Sequence, residues 1–391
     1  MKKLLLTILL ITNVIFISKA QTWMPTNLTS ETIKCMSAEG TSLFVGTNNG
    51  VFKSIDFGVS WTNISNGITN LSITSLDVDG LKMFVGTNGG GLFLSTDGGL
   101  NWNPVNNGLF YLTINAVMIS GTNLLYGDNI WGGLYISTNN GGNWTMVNGG
   151  LGLPTSVIKN FGSIGSNIVC NALGSGVYVS TDNGFNWIAS TLINTTTNYL
   201  YGFTTDGANI YVGSAGDGVL LSTDNGLNFI KKYVGPNIGI RDLAFNGSVA
   251  YGTDPSAYGM DMTTDSCTSF TIYNTGLPNY AFYSVERCGA FIFTGHMSGQ
   301  GVWKLAITPT DVKKTVSDYE LNIYPIPTLN QLSINTELEF NEISIIDITG
   351  KNIRSIKQNT NTINVADLSK GIYFIKLFTD EGTITKKFVK Q

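Results

Sequence analysis

Between Ile73 and Asn107 the chain runs in four short bursts of apolar residues separated by glycine and asparagine. "ITSLDVDG" alternates apolar with polar, "KMFVGTN" and "GGLFLSTD" are compact aliphatic and aromatic runs, and "NWNPVNNG" is a fourth. Runs of about four to eight residues bounded by turn formers predict β-strands, and no helix-length amphipathic pattern interrupts them. The same bursts recur along the chain, punctuated by one eight-residue segment. Its copies are "SIDFGVSW" from Ser54, "STDGGLNW" from Ser95, "STNNGGNW" from Ser137, "STDNGFNW" from Ser180, "STDNGLNF" from Ser222 and a worn "TTDSCTSF" from Thr263. Successive copies begin 41, 42, 43, 42 and 41 residues apart. Four strands in a period near forty residues predict the blades of a β-propeller.

The ends of the pattern set the blade count. After the worn copy, "YSVERCG", "FIFTGHM" and "GVWKLAI" supply three strands with no segment following them. The missing fourth strand matches "QTWMPTN" at the other end, where Trp23 sits as the ring does in "SWTNISN". The expectation is a seven-bladed ring over residues 21–308, closed by its own N-terminus so that no sheet edge is left open.

Each eight-residue copy falls where the third strand must reverse into the fourth. Its third position holds Asp56, Asp97, Asn139, Asp182, Asp224 or Asp265, whose side-chain oxygen is expected to accept backbone N–H groups two residues on. The fifth position is glycine in all but the worn copy, suiting a positive φ. The eighth holds Trp61, Trp102, Trp144, Trp187, Phe229 or Phe270. Burying a Trp removes roughly 150–250 Å² from water, worth up to ~4–6 kcal/mol, against about 1 kcal/mol for a turn hydrogen bond. The ring is the anchor and the acid shapes the turn. Asn139 shows that an uncharged acceptor suffices, and the positions eleven after Asp97 and Asp182 are Gly108 and Ile193, not the glutamate of a calcium loop. A structural role is expected, with no metal. These copies resemble the Asp-box (BNR) repeat of sialidase- and sortilin-like propellers. That resemblance implies the fold and places the boxes on the face opposite the usual ligand pocket; it implies no single activity, because the fold hosts enzymes and binding modules alike.

Composition narrows the function. The chain is 42% hydrophobic and only 12% charged. Residues 21–310 hold nine Lys and Arg against sixteen Asp and Glu, an acidic body poorly suited to nucleic acid. Lys2 and Lys3, the apolar run Leu4–Ile17 and the exit Ser18-Lys19-Ala20 read as a secretory signal over residues 1–20, and no second run of membrane length follows. Cys35, Cys170, Cys267 and Cys288 are scattered, which suits buried thiols; a Cys267–Cys288 bridge is the alternative. No cofactor is implied.

For chemistry the body is sparse. It has two arginines, Arg241 and Arg287, where sialidases clamp a carboxylate with three, and His296 is the only histidine. No nucleophile motif stands beside it. The ligand-face loops implied by the resemblance offer Asp128, Trp131, Asp217, Asp254, Tyr258, Tyr280, Phe282, Glu286, Arg287 and His296. Aromatics beside carboxylates suit a carbohydrate or protein ligand. The expectation is a secreted or cell-surface binding or adhesion module, the alternative a glycoside hydrolase using two of these acids.

Near Thr308 the period stops. Residues 309–320 read as a polar linker, and residues 321–391 as a small antiparallel Ig-like sandwich of six or seven strands. This segment resembles the type A C-terminal sorting domain of the type IX secretion system. The matching residues are Tyr324-Pro325-x-Pro327, Asp347-x-x-Gly350-Lys351, Gly371-x-Tyr373 with Lys376, and the closing Lys387-Phe388-Val389-Lys390; Ile326 stands where the family usually has Asn. The resemblance implies recognition by an outer-membrane translocon after periplasmic export.

Overall fold

A computed structural model describes residues 21–128, 133–148, 157–196, 199–233, 239–254, 259–278, 282–307, 321–336, 340, 342–348, 351–356, 360–379 and 382–391. Residues 1–20, expected to be a secretory signal, residues 309–320, expected to be a linker, and Trp131, Tyr258, Tyr280 and Gly350 lie outside them. The chain forms two compact units, Met1–Thr310 and Asp311–Gln391, and no helix occurs among the described residues.

The first unit is a seven-bladed β-propeller. Blade 1 is a meander of Ile33–Glu39, Ser42–Thr47, Gly50–Ser54 and Thr62–Asn63. The first strands of blades 2 to 7 are Ile73–Asp79, Ile114–Ser120, Ile158–Ile164, Leu200–Thr205, Asp242–Asn246 and Phe282–Cys288. These innermost strands neighbour one another in cyclic order, blade 7 returning to blade 1. Closure comes from Met24–Pro25, which pairs antiparallel with the third strand of blade 7 through Met24↔Lys304 and Pro25↔Trp303. Blade 5 departs from the expected four strands. Thr191–Ile193, on the way out of blade 4, adds a fifth strand in parallel with Asn228–Lys231.

The box turns show why the repeat has its residues. In blade 2 the Ser95 hydroxyl accepts the Gly99 N–H at 2.9 Å and donates to Asp97 Oδ1 at 2.8 Å. Asp97 then accepts the Asn101 N–H at 2.9 Å and the Asn101 side-chain amide at 2.9 Å. The acid thus binds the amide four residues on rather than two, and the hydroxyl is the hub of the turn. Asn139 Oδ1 repeats the backbone bond in blade 3, from the Asn143 N–H at 2.9 Å. Two successive residues adopt positive φ, as in Asn183 (58°) and Gly184 (93°). In blade 6 Ser266 and Cys267 hold that conformation without glycine, at a cost of about 1–2 kcal/mol each.

The eighth-position rings fasten each blade to the one before it. Trp102 is 3% exposed, packs among residues of blades 1 and 2, and donates its indole N–H to the Ile64 carbonyl of blade 1. Trp187 and Phe229 are buried in the same way between blades 3 and 4 and blades 4 and 5. Trp61, Trp144 and Phe270 sit half-buried in the corresponding clusters. Trp23 takes the position at the closing seam, donating to the Tyr273 carbonyl of blade 6. All four cysteines are free thiols.

The second unit packs a three-stranded sheet (Asn322–Tyr324, Gln331–Asn335, Thr362–Asn364) with a four-stranded one (Glu342–Asp347, Asn352–Ile356, Gly371–Thr379, Gly382–Lys390). Leu332, Ile343, Ile345, Ile363, Ile375, Leu377 and Phe388 form one core between them. Asp347 and Lys351 close a hairpin, Tyr373 stacks on Phe388 and bonds the Ser369 carbonyl, and Tyr324, Pro325 and Pro327 are exposed; Lys376 lies over Phe378.

Candidate ligand-binding site at the channel mouth

The innermost strands share an irregularity that the alternation pattern does not reveal. In blade 1 Ile33 pairs with Thr47 but Cys35 pairs with Gly46, so Lys34 is an extra residue bulging from the ladder. Register shifts at the same place set apart Thr74, Asn115, Lys159 and Tyr283, and in blade 5 Tyr201 with Gly202. In blade 6 Arg241 takes the equivalent place at the entry to the strand. A bulge re-aims a side chain that the pleat would otherwise turn into the sheet. The result is a ring of one residue per blade, all seven lining a cavity of about 470 Å³ in the central channel. Asn48, Ser72 and Asn88 widen the ring into a mouth of about 280 Å³.

The ring is basic and aromatic. Three of the nine cations in the propeller gather here. The Arg241 guanidinium lies 3.7 Å from the centre of the Tyr283 ring and 5.6 Å from that of Tyr201, and Lys34 Nζ reaches 5.4 Å from Tyr283 on the blade 1 side. Among the described residues none of Lys34, Lys159 and Arg241 forms an ion pair. Burial, then the charge of Arg241, lowers the Lys159 pKa. Burial also pulls Arg241 down, against the tyrosines and Asp242.

Deeper in the channel are carboxyl groups. Asp242 accepts the Val285 N–H of blade 7 and its neighbour Leu243 N–H, both at 3.0 Å, yet the loss of hydration pushes its pKa up to about 7. Glu286 is pushed up to about 8 by burial and then by the nearby Asp242. Asp77, between the inner strands of blades 2 and 3 and outside the cavity lining, accepts the Ile119 N–H at 2.7 Å and is raised to about 6, again chiefly by burial. Thr74, Ser75 and Ser284 border the cavity, but their hydroxyl oxygens are buried and have no hydrogen-bond partner among the described residues; Ser284 is 7% exposed.

The loop residues singled out in the sequence mostly go elsewhere. Asp128, Asp217, Asp254 and His296 are at most 2% exposed, held inside their own blades at the second strand's end or the turn after it. Asp217 accepts the Thr196 N–H and pairs with Lys231 at 3.1 Å, and the His296 ring meets Phe282 edge-on and accepts the Ser298 N–H. An exposed ligand face cannot be built from these four side chains, because the blade needs them to close its strand ends. Arg287 is exposed and lines a smaller crevice beside the channel. Glu286 alone of the described acids in that set reaches the channel, and Phe282 is buried in the core of blades 6 and 7. Reading the sequence missed the ring itself. In blades 1 to 6 its signal is the residue after an aliphatic one at the start of the first strand, or in blade 6 just before that strand, 20 to 22 residues ahead of the box (Lys34 to Ser54, Asn115 to Ser137).

Boxes and mouth lie at opposite ends of each blade. Ile33 faces Thr47 at the ring end, while Leu43 faces Ser54, where the box begins. Residues 322–391 match the secretion system C-terminal sorting domain family. The match supports export through the type IX secretion machinery to the cell surface or beyond. No curated protein matches the chain. Solved propellers similar in fold include PorZ of Porphyromonas gingivalis, described as an essential bacterial surface component of the type IX secretion system, at 13% identity and TM-score 0.56, covering 94% of this chain and 61% of that one. YCF48 from Cyanidioschyzon merolae is 15% identical with TM-score 0.57, covering 74% of this chain and all of its own. The xyloglucanase of Xanthomonas campestris is 16% identical with TM-score 0.55, over 72% of this chain and 44% of that one. This chain therefore spans about three-fifths of the PorZ chain. At such identities the likeness is one of fold.

Proposed function

We propose that the propeller is a non-catalytic binding module, brought to the periplasm by its N-terminal signal and outward by its sorting domain, whose glycan ligand seats in the channel mouth. The carrying observation is the ring: six blades repeat one backbone irregularity and blade 6 supplies Arg241 at the equivalent place, so that seven side chains meet in one cavity. The volume suits a small ligand or the end of a larger one. Tyrosine faces with hydroxyl and amide groups between them match the alternating apolar and hydroxylated surfaces of a sugar. A glycan array probed with the full chain tests this reading; binding that survives Tyr283→Ala together with Tyr201→Ala defeats it.

A hydrolase reading has one observation in its favour. Asp242 and Glu286 both line the channel, and both hold protons unusually tightly, as catalytic acids do. Against it, the Asp242 carboxyl is already committed to two backbone N–H groups of the inner strands. Assays for new reducing ends across polysaccharides, with Asp242→Asn and Glu286→Gln as controls, separate the two. Cleavage lost in either variant would replace the binding reading.

A further inference from the structure

The propeller as a whole is acidic, yet its channel carries the opposite sign. Residues 21–310 sum to nine cations against sixteen acids, but three of those nine stand around one cavity with no ion-pair partner among the described residues. The acids beneath them do not cancel the charge. Half-buried among the surrounding strands, Asp242 is pushed up to about 7 and Glu286 to about 8, so that neither carries a full charge near neutral pH. Lys159 also feels the positive charge of Arg241. A cluster of half-buried cations held by a ring of sheets, with no ion pair among the described residues and only the partly protonated Asp242 beside it, is electrostatically matched to an anion brought from outside.

We infer that the channel mouth recognises the acidic terminal unit of a saccharide, its anionic group lying between Arg241, Lys34 and Lys159 and its ring against Tyr283 and Tyr201. The inference rests on the binding reading above and deepens it. Arg241 is held ready for an anion, because stacking against Tyr283 orients its fork of N–H donors before any ligand arrives. A channel walled by seven strands admits a chain end more readily than the middle of a chain, so the terminal unit is the one read. Carboxylate and sulfate share the required chemistry, and the test separates them.

Isothermal titration of the full chain with oligogalacturonate, a matched neutral galactose oligomer, a sulfated galactose oligomer and a peptide ending in two glutamates gives the answer. Acidic sugar binding at least roughly tenfold tighter than neutral sugar is expected, weakening as salt rises. Arg241→Gln should remove that advantage, Arg241→Lys should restore part of it, and Lys159→Gln should reduce it severalfold, all at an unchanged melting temperature. If Arg241→Gln does not fold, Lys159→Gln carries the test. Preference for oligogalacturonate or for the sulfated oligomer identifies the anion, and either supports the inference. Equal affinity for neutral and acidic sugars, unaffected by Arg241→Gln and Lys159→Gln, overturns it while leaving the glycan-binding reading intact. Binding of the glutamate peptide alone overturns both, and so does an absence of binding to all four.

Discussion

The two ends of a blade use one residue type in opposite ways. At the box end Asp97 accepts N–H and side-chain donors in open solvent, and those hydrogen bonds, led by the Asn101 backbone, hold its pKa down to about 2. Asp56 and Asp265 are lowered likewise, first by the Ser60 and Ser269 side chains. At the channel end Asp242 and Glu286 are pushed up to about 7 and 8, because burial costs them more than their few donors return. Identity behaves differently too. Box positions repeat because one hydroxyl, one acceptor and one ring satisfy one turn. The ring positions read Lys, Thr, Asn, Lys, Tyr, Arg and Tyr, because a bulge asks only for backbone geometry and leaves the side chain open to other uses. One end is committed to stability, the other is available for recognition.

Substitutions that attack this division should fall in a definite order. Trp102→Ala removes a ring buried between blades 1 and 2 and should cost about 3–5 kcal/mol in denaturant unfolding, with saccharide affinity retained in the folded fraction. Gly301→Ala comes next. Its φ is +70° and an added Cβ would fall 1.6 Å from the Leu28 carbonyl at the closing seam, so a loss of about 2–3 kcal/mol is expected from the same measurement. Stability equal to the native chain would show that the seam yields. At the mouth the readout changes from stability to binding. Between about pH 6 and pH 9 Asp242 and Glu286 lose their protons beneath Arg241, Lys34, Lys159, Tyr201 and Tyr283, so anion affinity should fall severalfold, and Glu286→Gln should flatten part of that fall. The folded state holds these two protons more tightly than the unfolded chain. Stability from this pair is therefore greatest below the usual carboxylate range and declines as pH rises through about 8. The box acids have the reverse sign, contributing above about pH 4 and losing their contribution as pH falls through about 2. The smallest effect is a resonance. The Asn101 amide should titrate with a midpoint near 2 in an NMR series, while the Asn143 amide, bonded to Asn139, should not respond. Titration of both would mean that the turn carboxylate does not set the local geometry.

Much of the scaffold was legible because it is local and repeated. The strand period, the turn at each box and the match of "QTWMPTN" to the open edge of blade 7 are all visible in the sequence, and the pairing of Met24 with Lys304 follows from them. The fifth strand of blade 5 was not legible, since Thr191–Ile193 looks like any outgoing loop until Asn228–Lys231 lies beside it. The site was legible only at Glu286. Asp128, Asp217, Asp254 and His296 drew notice as polar residues at loop edges, yet those edges lie inside the ring of sheets. Lys34, Thr74 and Asn115 passed unnoticed because a one-residue bulge leaves the alternation on either side unchanged in type.

The order of the chain alone determined that it would fold as short strands in seven repeating groups, riveted by rings at acidic turns and followed by a separate sorting unit. These follow from hydrogen bonds and burial over a few residues, which a local pattern encodes. Where the charges meet was decided in three dimensions. Lys34, Lys159 and Arg241 are more than eighty residues apart in sequence, and only the closing of the ring brings them to one channel, where lost hydration quiets the acids beneath and leaves the cations in command.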